Sequence, residues 1–403
     1  MQDATAAHRR QTGQQAEGTH HSHALLRWRG YFHPRVRVQK LLAEAGIKIN
    51  GTRPYDITVK DERFYSRLLR FGSVGLGDSY LDGWWDCRRL DELFYRILNS
   101  RLERRSRTGW QRLLAWATDR VRNAQTRERS KVVAEKHYDL GNALYEAMLD
   151  SRLVYTTACW RDAATLDRAQ EEKLHVVCER LALQPGMRLL DIGCGWGSLA
   201  KFAATTYGVS AVGVTISREQ LELARRRCKG LPIEFELQDY RDVRGKFDRI
   251  ASLGMFEHVG AKNYRTYFET VSQLLPPGGL FYLETIGAPG VLHEDDPWLL
   301  KHIFPNSHIP SWAEISSAMN GIFAIENLEN WGDDYGRTVK AWYDNFERSW
   351  TRLQSSYDER FHRMWRYYLL ASAAAFRTRH TECWQILLAP TTEAVPACRS
   401  PIF

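Results

Sequence analysis

Chemistry in this chain of 403 residues gathers where acids, glycines and a histidine recur at short intervals. Asp191 precedes Gly193, Gly195 and Gly197 in the pattern D-x-G-x-G-x-G, and a helix-forming run begins near Ser198. Glycine has no Cβ, so such a turn lets backbone approach a ligand closely. The helix start then offers N–H groups that have no partner within the helix. Farther along, Glu257 and His258 stand together in GMFEHVG, and Glu284 follows in YLETIG. Carboxylates facing one cavity raise the proton affinity of at least one of them, and such pairs often move protons. These spacings predict a nucleotide-type crevice with acid–base groups beside it. The plainer alternative for Glu257 or His258 is a helix cap or an ion-pair member.

Such residues work together only at the carboxyl ends of parallel strands. Residues 187–193 alternate and then run apolar through Leu189, Leu190 and Ile192, as a buried parallel strand does. One helix later, 210–216 reads as a second strand, completing a right-handed β-α-β unit. Strands follow at 233–237, 247–253, 280–286, 323–328 and 384–388, with helices at 218–228, 262–275, 311–319, 335–350 and 357–376. The expected fold is therefore α/β, a Rossmann-like seven-stranded mixed sheet whose last strand returns late. After the second strand, where many nucleotide sites carry an acid for the ribose, this chain has Thr215, Ser217 and Gln220. Neutral groups are expected to hold the ribose. After the third strand, Asp239 is expected to accept from an adenine amino group, with Tyr240 beside it.

Composition places the rest. A hydrophobic content of 44% and a charged content of 26% describe a globular chain, and no apolar run approaches the ~18 residues that span a bilayer. Residues 1–30 are polar and carry His8, His20, His21 and His23; they read as a disordered tail, with neither a signal peptide's apolar core nor a metal site. Residues 31–100 read as a small, mainly helical N-terminal domain, beginning with a helix through Val38, Leu41, Leu42 and Ala45. Its glycine-rich stretch 72–85 is expected to be a turn packing Trp84 and Trp85, because no Lys-Ser/Thr follows to make a phosphate loop. Residues 135–390 form the main domain and 391–403 a tail. Seven cysteines without regular spacing suit a reducing cytoplasm. The net charge of +8 is concentrated: between Arg96 and Lys131, eleven basic residues face three acids. Within 101–134, Trp110, Leu113, Leu114, Ala117 and Val121 share one helical face, as in helices that lie on anionic bilayers. A solvated connector or a nucleic-acid patch would carry similar charge. The expectation is a protein on the inner membrane face, without nucleic acid.

The D-x-G-x-G-x-G turn resembles motif I of S-adenosylmethionine-dependent methyltransferases, and the resemblance widens with further runs. EKHYDLGN (135–142), LDIGCGWG (190–197), GVTISREQ (213–220), LQDYRD (237–242), GMFEHVG (254–260) and KAWY (340–343) together resemble the cyclopropane-fatty-acyl-phospholipid synthases. AGIKINGTRPYDITV (45–59) and GSVGLGDSYLDGWWDC (72–87) resemble that family's N-terminal domain. The likeness covers roughly residues 35–390 and implies a class I methyltransferase fold. It also implies S-adenosyl-L-methionine as cofactor, unsaturated phospholipid acyl chains as substrate, and a homodimer. Tyr138, Tyr155, Thr156, Asp191, Gly193, Gly195, Gly197, Thr215, Ser217, Gln220, Asp239 and Tyr240 are the implied cofactor residues.

The family's reaction, as the resemblance implies it, begins when an acyl alkene attacks the sulfonium methyl and becomes a carbocation. A base then removes a proton from the new methyl and the ring closes. The base is a bicarbonate held by a Cys, a Glu, a His, a Tyr and a backbone amide. Glu257, Tyr335 and the amide of Ile286 match three of these; His258 adjoins them. Thr157 stands at the family's Cys position, with Cys159 two residues on, Glu284 at its His position, and Ser372 at a further cysteine position. Two carboxylates around a third anion are unfavourable, so bicarbonate is expected to be weakly held or absent. On that reading Glu284, its proton affinity raised by an aromatic pocket, takes the proton itself. In the competing account, protonated Glu284 donates a hydrogen bond to bicarbonate. Open alternatives are a same-fold acyl C-methyltransferase giving a branched chain, an amine N-methyltransferase, and an inactive cofactor-binding relative.

Overall fold

The computed structural model describes residues 33–100, 141–290 and 295–391. The expected tail 1–30, the basic linker 101–134, nearly all of the tail 391–403, and Tyr138 lie outside them. The chain divides into two compact units, one up to Arg89 and one from Leu90.

In the first unit, helix α1 (Pro34–Glu44) starts on a proline, whose missing N–H costs nothing in a first turn, and buries Val38 and Leu42. Strand β1 (Thr58–Val59) leads to helix α2 (Arg63–Leu81), and strand β2 (Trp85–Asp86) returns to pair antiparallel with β1. The glycine-rich stretch is not a turn: helix runs through it, kinked at Gly72 (φ 56°, ψ −126°). The segment after the kink folds against the one before it, so closely that a Cβ on Gly75 would lie 2.2 Å from the carbonyl oxygen of Arg67. Here the glycines permit close helical approach. The two tryptophans have different fates. Trp85 is fully buried and donates to the Leu76 carbonyl at 2.9 Å. Trp84 lies under the guanidinium groups of Arg63 and Arg67, at 4.5 and 4.6 Å.

The second unit opens with helix α3 (Leu90–Asn99). The sequence reading put this helix in the N-terminal domain. Its apolar face, Leu90, Leu93 and Phe94, instead packs in the second unit, with the Phe94 ring 4.8 Å from that of Tyr367. Helices α4 (Asn142–Met148) and α5 (Leu166–Arg180) precede the sheet, and α5 is capped by the Thr165 side chain accepting from the Arg168 amide. Then come β3 (Arg188–Ile192), α6 (Ser198–Tyr207), β4 (Ser210–Thr215), α7 (Arg218–Arg227), β5 (Ile233–Leu237) and β6 (Arg249–Leu253). The chain continues through α8 (Tyr264–Leu274), β7 (Leu280–Gly287), α9 (Pro297–His302), α10 (Trp312–Met319) and β8 (Phe323–Asn330). It ends in α11 (Gly332–Leu353), α12 (Glu359–Arg377) and β9 (Glu382–Pro390).

The seven strands lie in the order β5-β4-β3-β6-β7-β9-β8, and β9 runs antiparallel to both its neighbours. This is the seven-stranded mixed sheet of a class I methyltransferase. One apolar cluster, including Leu174, Val177, Leu199 and Phe202, gathers around the glycine turn. A second, including Ile250, Phe268, Val271 and Leu274, gathers under α8. The carboxyl ends of β3, β4, β6 and β7 are thereby held beside one another.

Candidate functional site

The turn after β3 opens a crevice. Gly193, Gly195 and Gly197 all have positive φ (78°, 53° and 78°), but for different reasons. A Cβ on Gly193 would lie 2.8 Å from the Met255 side chain, and one on Gly197 2.6 Å from Phe235. A Cβ on Gly195 would meet no atom within 4 Å. Gly197 packs under the turn and, contrary to expectation, is not among the residues lining the crevice. Gly195 is the glycine whose missing side chain leaves room for a ligand.

Tyr155, Thr156, Asp191, Gly193, Gly195, Thr215, Ser217, Gln220, Asp239, Tyr240 and His258 line this space. Thr215 Oγ1 donates to Gln220 Oε1 at 3.1 Å, and the Ser217 hydroxyl accepts from the Gln220 amide, capping α7. The neutral ribose-holding set predicted from sequence is thus one bonded cluster. Asp239 lines the crevice too, but both its carboxylate oxygens are engaged by Arg241, at 2.7 and 2.6 Å. The ion pair and the cap it makes on the Arg241 amide fix this carboxylate at the crevice wall. Asp191 is buried, and desolvation pushes its carboxyl up to about 7 against the opposing pull of Lys173.

The acid–base groups lie behind this crevice. His258 lines it, and burial lowers the imidazole to about 4, so the ring is neutral at pH 7. Glu257, expected to project into the crevice, instead turns toward β7, where its Oε1 accepts from the Ile286 N–H at 2.7 Å. Burial above all, and then the charge of Glu284, raise its carboxyl to about 7. Glu284 itself, on β7, faces Lys173: Nζ is 3.3 Å from Oε2, with side-chain exposures of 0% and 2%. The same ammonium donates to Thr156 Oγ1 at 2.5 Å. This overturns the expectation that Glu284 is the base in apolar surroundings, or a neutral donor; it is half of a buried ion pair. Thr157 spends its hydroxyl on the Ala158 carbonyl at 3.3 Å. Tyr335 is buried apart from the crevice, stacked on Phe376 with ring centres 4.4 Å apart, and burial holds its phenol well above the ordinary range.

Sequence reasoning missed Lys173. A signal was present: in α5 it shares the buried stripe with Leu166, Ala169, Gln170, Leu174 and Val177. A lysine amid such a stripe needs an interior partner. An aromatic wall also emerges from helices far apart in sequence. Tyr155 lies between Tyr145 and Trp342, at ring distances of 5.3 and 5.0 Å, and its hydroxyl is 2.9 Å from that of Tyr368. Ring faces of this kind attract cations.

A family model described as mycolic acid cyclopropane synthetase matches residues 124–386. The chain is 48% identical over 354 residues to the cyclopropane-fatty-acyl-phospholipid synthase of Escherichia coli K12, covering 88% of this chain and 93% of that protein. Among solved structures it resembles the cyclopropane synthase MmaA2 of Mycobacterium tuberculosis (TM-score 0.62, 26% identity, 66% of this chain and 100% of that one). It also resembles the mycolic acid cyclopropane synthase CmaA1, solved with SAH and CTAB (TM-score 0.60, 27% identity, 64% of this chain and 97% of that one).

The raised carboxyl of Glu257 carries a stability signature. Its folded-state value of about 7 lies above the ordinary 4.5, so the folded state holds the proton more tightly than the unfolded one. That contribution is complete below pH 4.5 and fades as pH rises through about 7. It amounts to no more than about 3 kcal/mol. Urea melts of wild type and Glu257→Gln between pH 5 and 8 should diverge in this sense, the wild type losing more stability with rising pH than the variant, which keeps the raised Asp191. Parallel curves would show that Glu257 is not held in a desolvated pocket.

Proposed function

The chain belongs to the mycolic acid cyclopropane synthetase family, and we infer that it adds a methylene to the double bond of an unsaturated phospholipid acyl chain, closing a cyclopropane ring. One observation supports this reading above the rest. Lys173 joins the nucleotide-type crevice to the buried acid pair through Thr156 on one side and Glu284 on the other, so cofactor and proton chemistry adjoin. The crevice suits S-adenosylmethionine. Gly195 leaves an open cradle at the turn, Thr215 and Gln220 offer neutral partners to a ribose, and Asp191 sits beside them. When bound, that molecule supplies an electrophilic methyl on a sulfonium. The protein's part is to bring the acyl double bond in line, surround the resulting cation with aromatic faces, and receive one proton. Tyr155 and its neighbours supply the faces. The acid pair supplies the acceptor.

Phospholipid substrates require contact with a bilayer. Among the described residues no helix is long and apolar enough to cross one. The reading therefore places a homodimer against the anionic inner face from the cytoplasm, docked through the basic stretch 96–131. The charge count of that stretch supports this, and each cation near such a surface contributes about 1 kcal/mol.

Three outcomes test the reading. Lipids extracted from cells producing the protein should contain acyl chains heavier by one CH₂ and lacking one double bond; unchanged chains would refute the activity, and a retained double bond would mark a branched product. Gly195→Val should abolish S-adenosylmethionine binding in calorimetry, because the new side chain enters the open cradle; at φ 53° it also strains the turn, so the thermal midpoint is read beside the binding. Binding to anionic vesicles should weaken with salt and with neutralisation of Arg104, Arg105 and Arg112. Salt-independent binding would leave only apolar insertion.

A further inference from the structure

We propose that Glu284 fits the crevice to the charge of its cofactor: it neutralises Lys173, whose ammonium stands just behind the crevice wall, so that a cationic sulfonium is admitted where a lone buried cation would repel it. The proposal rests on the S-adenosylmethionine reading of the crevice above and is independent of what becomes of the acyl chain. Neither residue lines the crevice, but Lys173 reaches it through one that does. Its Nζ donates to Thr156 Oγ1 at 2.5 Å, and Thr156 is part of the wall. The same helix holds that residue a second time, because Gln170 Nε2 donates to the Thr156 carbonyl at 2.9 Å. Thr156 Cγ2 in turn fills the space that a side chain at Gly254 would need: a Cβ there would lie 2.7 Å from it. The ammonium is thus fixed one hydrogen bond from the ligand space.

The charges around this wall are few. The described residues that line the crevice include no lysine or arginine. Of its two aspartates, Asp239 already has the Arg241 guanidinium against it, so Asp191 is the acid whose charge a bound cation meets. Lys173 acts on Asp191 too, favouring its ionised form against burial. An ammonium without a counter-ion would cancel that carboxylate and turn the crevice against positive ligands. Glu284 prevents this. Its Oε2 lies 3.3 Å from Nζ, and the two side chains are 0% and 2% exposed, so water and salt screen neither. The other acids near the ammonium do not take this part. Burial keeps the Cys383 thiol of β9 protonated, and Glu257 is anchored on the Ile286 amide. The consequence falls on turnover. In methyl transfer the S–CH₃ bond breaks, its electron pair stays on sulfur, and the cofactor becomes the neutral thioether S-adenosylhomocysteine. A crevice whose remaining charge is Asp191 prefers the cationic reactant to that neutral product. Glu284 therefore limits inhibition by the product.

The test is calorimetric and needs no acyl substrate. The full-length protein is titrated with S-adenosylmethionine and with S-adenosylhomocysteine, and the ratio of the two dissociation constants is compared among four chains. These are wild type, Glu284→Gln, Lys173→Met and the double Lys173→Met/Glu284→Gln. A buried acid or base that has lost its partner keeps its charge on one side of neutrality only. Glu284→Gln is therefore compared with wild type at pH 6, and Lys173→Met at pH 8.5. Glu284→Gln should lose S-adenosylmethionine at least about fivefold relative to S-adenosylhomocysteine, and Lys173→Met should shift the ratio by a similar factor the other way. The double variant, again without net charge at the pair, should return to the wild-type ratio at both pH values. It should also recover the thermal midpoint lost by the single variants, since no orphaned charge remains. Equal loss of both ligands in the folded single variants, with the ratio unmoved, would reduce the pair to packing and overturn the proposal. So would a double variant that keeps the ratio of either single one, because charge would then not be the cause. If Lys173→Met does not fold, Lys173→Gln, which can still donate to Thr156, takes its place under the same expectation. A wild type that binds neither ligand would refute the cofactor reading itself, and the proposal with it.

Discussion

The structure depends on one buried ammonium. Lys173 has no exposed side-chain surface, and an unpaired charge there would cost several kcal/mol. Its partners come from separate parts of the chain: Thr156 from the segment before α5, Glu284 from β7, and the field of Asp191 from β3. Removing any one leaves a charge or a polar group stranded in a dry interior, a loss of about 3–5 kcal/mol for a broken buried pair. The ion pair thus constrains how α5 lies on the sheet as well as which acid carries the charge. Specificity of arrangement, more than net stabilisation, is what such a pair contributes.

Backbone geometry supplies the second constraint. Three glycines in one turn read alike in sequence, but they do different things. Gly193 and Gly197 lack side chains because Met255 and Phe235 fill the space; Gly195 lacks one because a ligand must come near. The first two hold the turn against β5 and the segment after β6, and the third faces the crevice. A side chain at any of the three strains the turn, since all have positive φ; at 193 and 197 it also collides with packed atoms, whereas at 195 it enters the crevice.

These differences mark the limit of what the chain discloses by itself. The strands were legible because parallel strands buried on both faces are short apolar runs, as in Leu189, Leu190 and Ile192. The neutral set Thr215, Ser217 and Gln220 was legible because it lies within one strand end and one helical turn. The stretch 72–85 was misread because glycine density looks like a turn, and only contact between Gly75 and the Arg67 backbone shows that it permits helices to touch. The ion pair of Asp239 was not legible for a similar reason: Arg241, two residues on, reaches back to the carboxylate at a range no spacing rule flags. Lys173 escaped because lysine ordinarily marks solvent, and its partner Glu284 lies far along the chain.

The pairing also explains how a carboxylate can occupy position 284 at all. The sequence resemblance implies a histidine there, able to be neutral or cationic. A glutamate in its place, with no cation near, would share one proton with Glu257 and leave neither acid defined. With Lys173 at 3.3 Å the degeneracy is lifted, because one carboxylate is bound to an ammonium and the other to a backbone amide. Residues 173 and 284 are therefore a single electrostatic unit, and the meaning of the substitution at 284 cannot be read from that position alone. Asp191, pushed to about 7 like Glu257, extends the same logic into the crevice. Asp191 lines the site that suits a cationic sulfonium, and a positive ligand favours its ionised form.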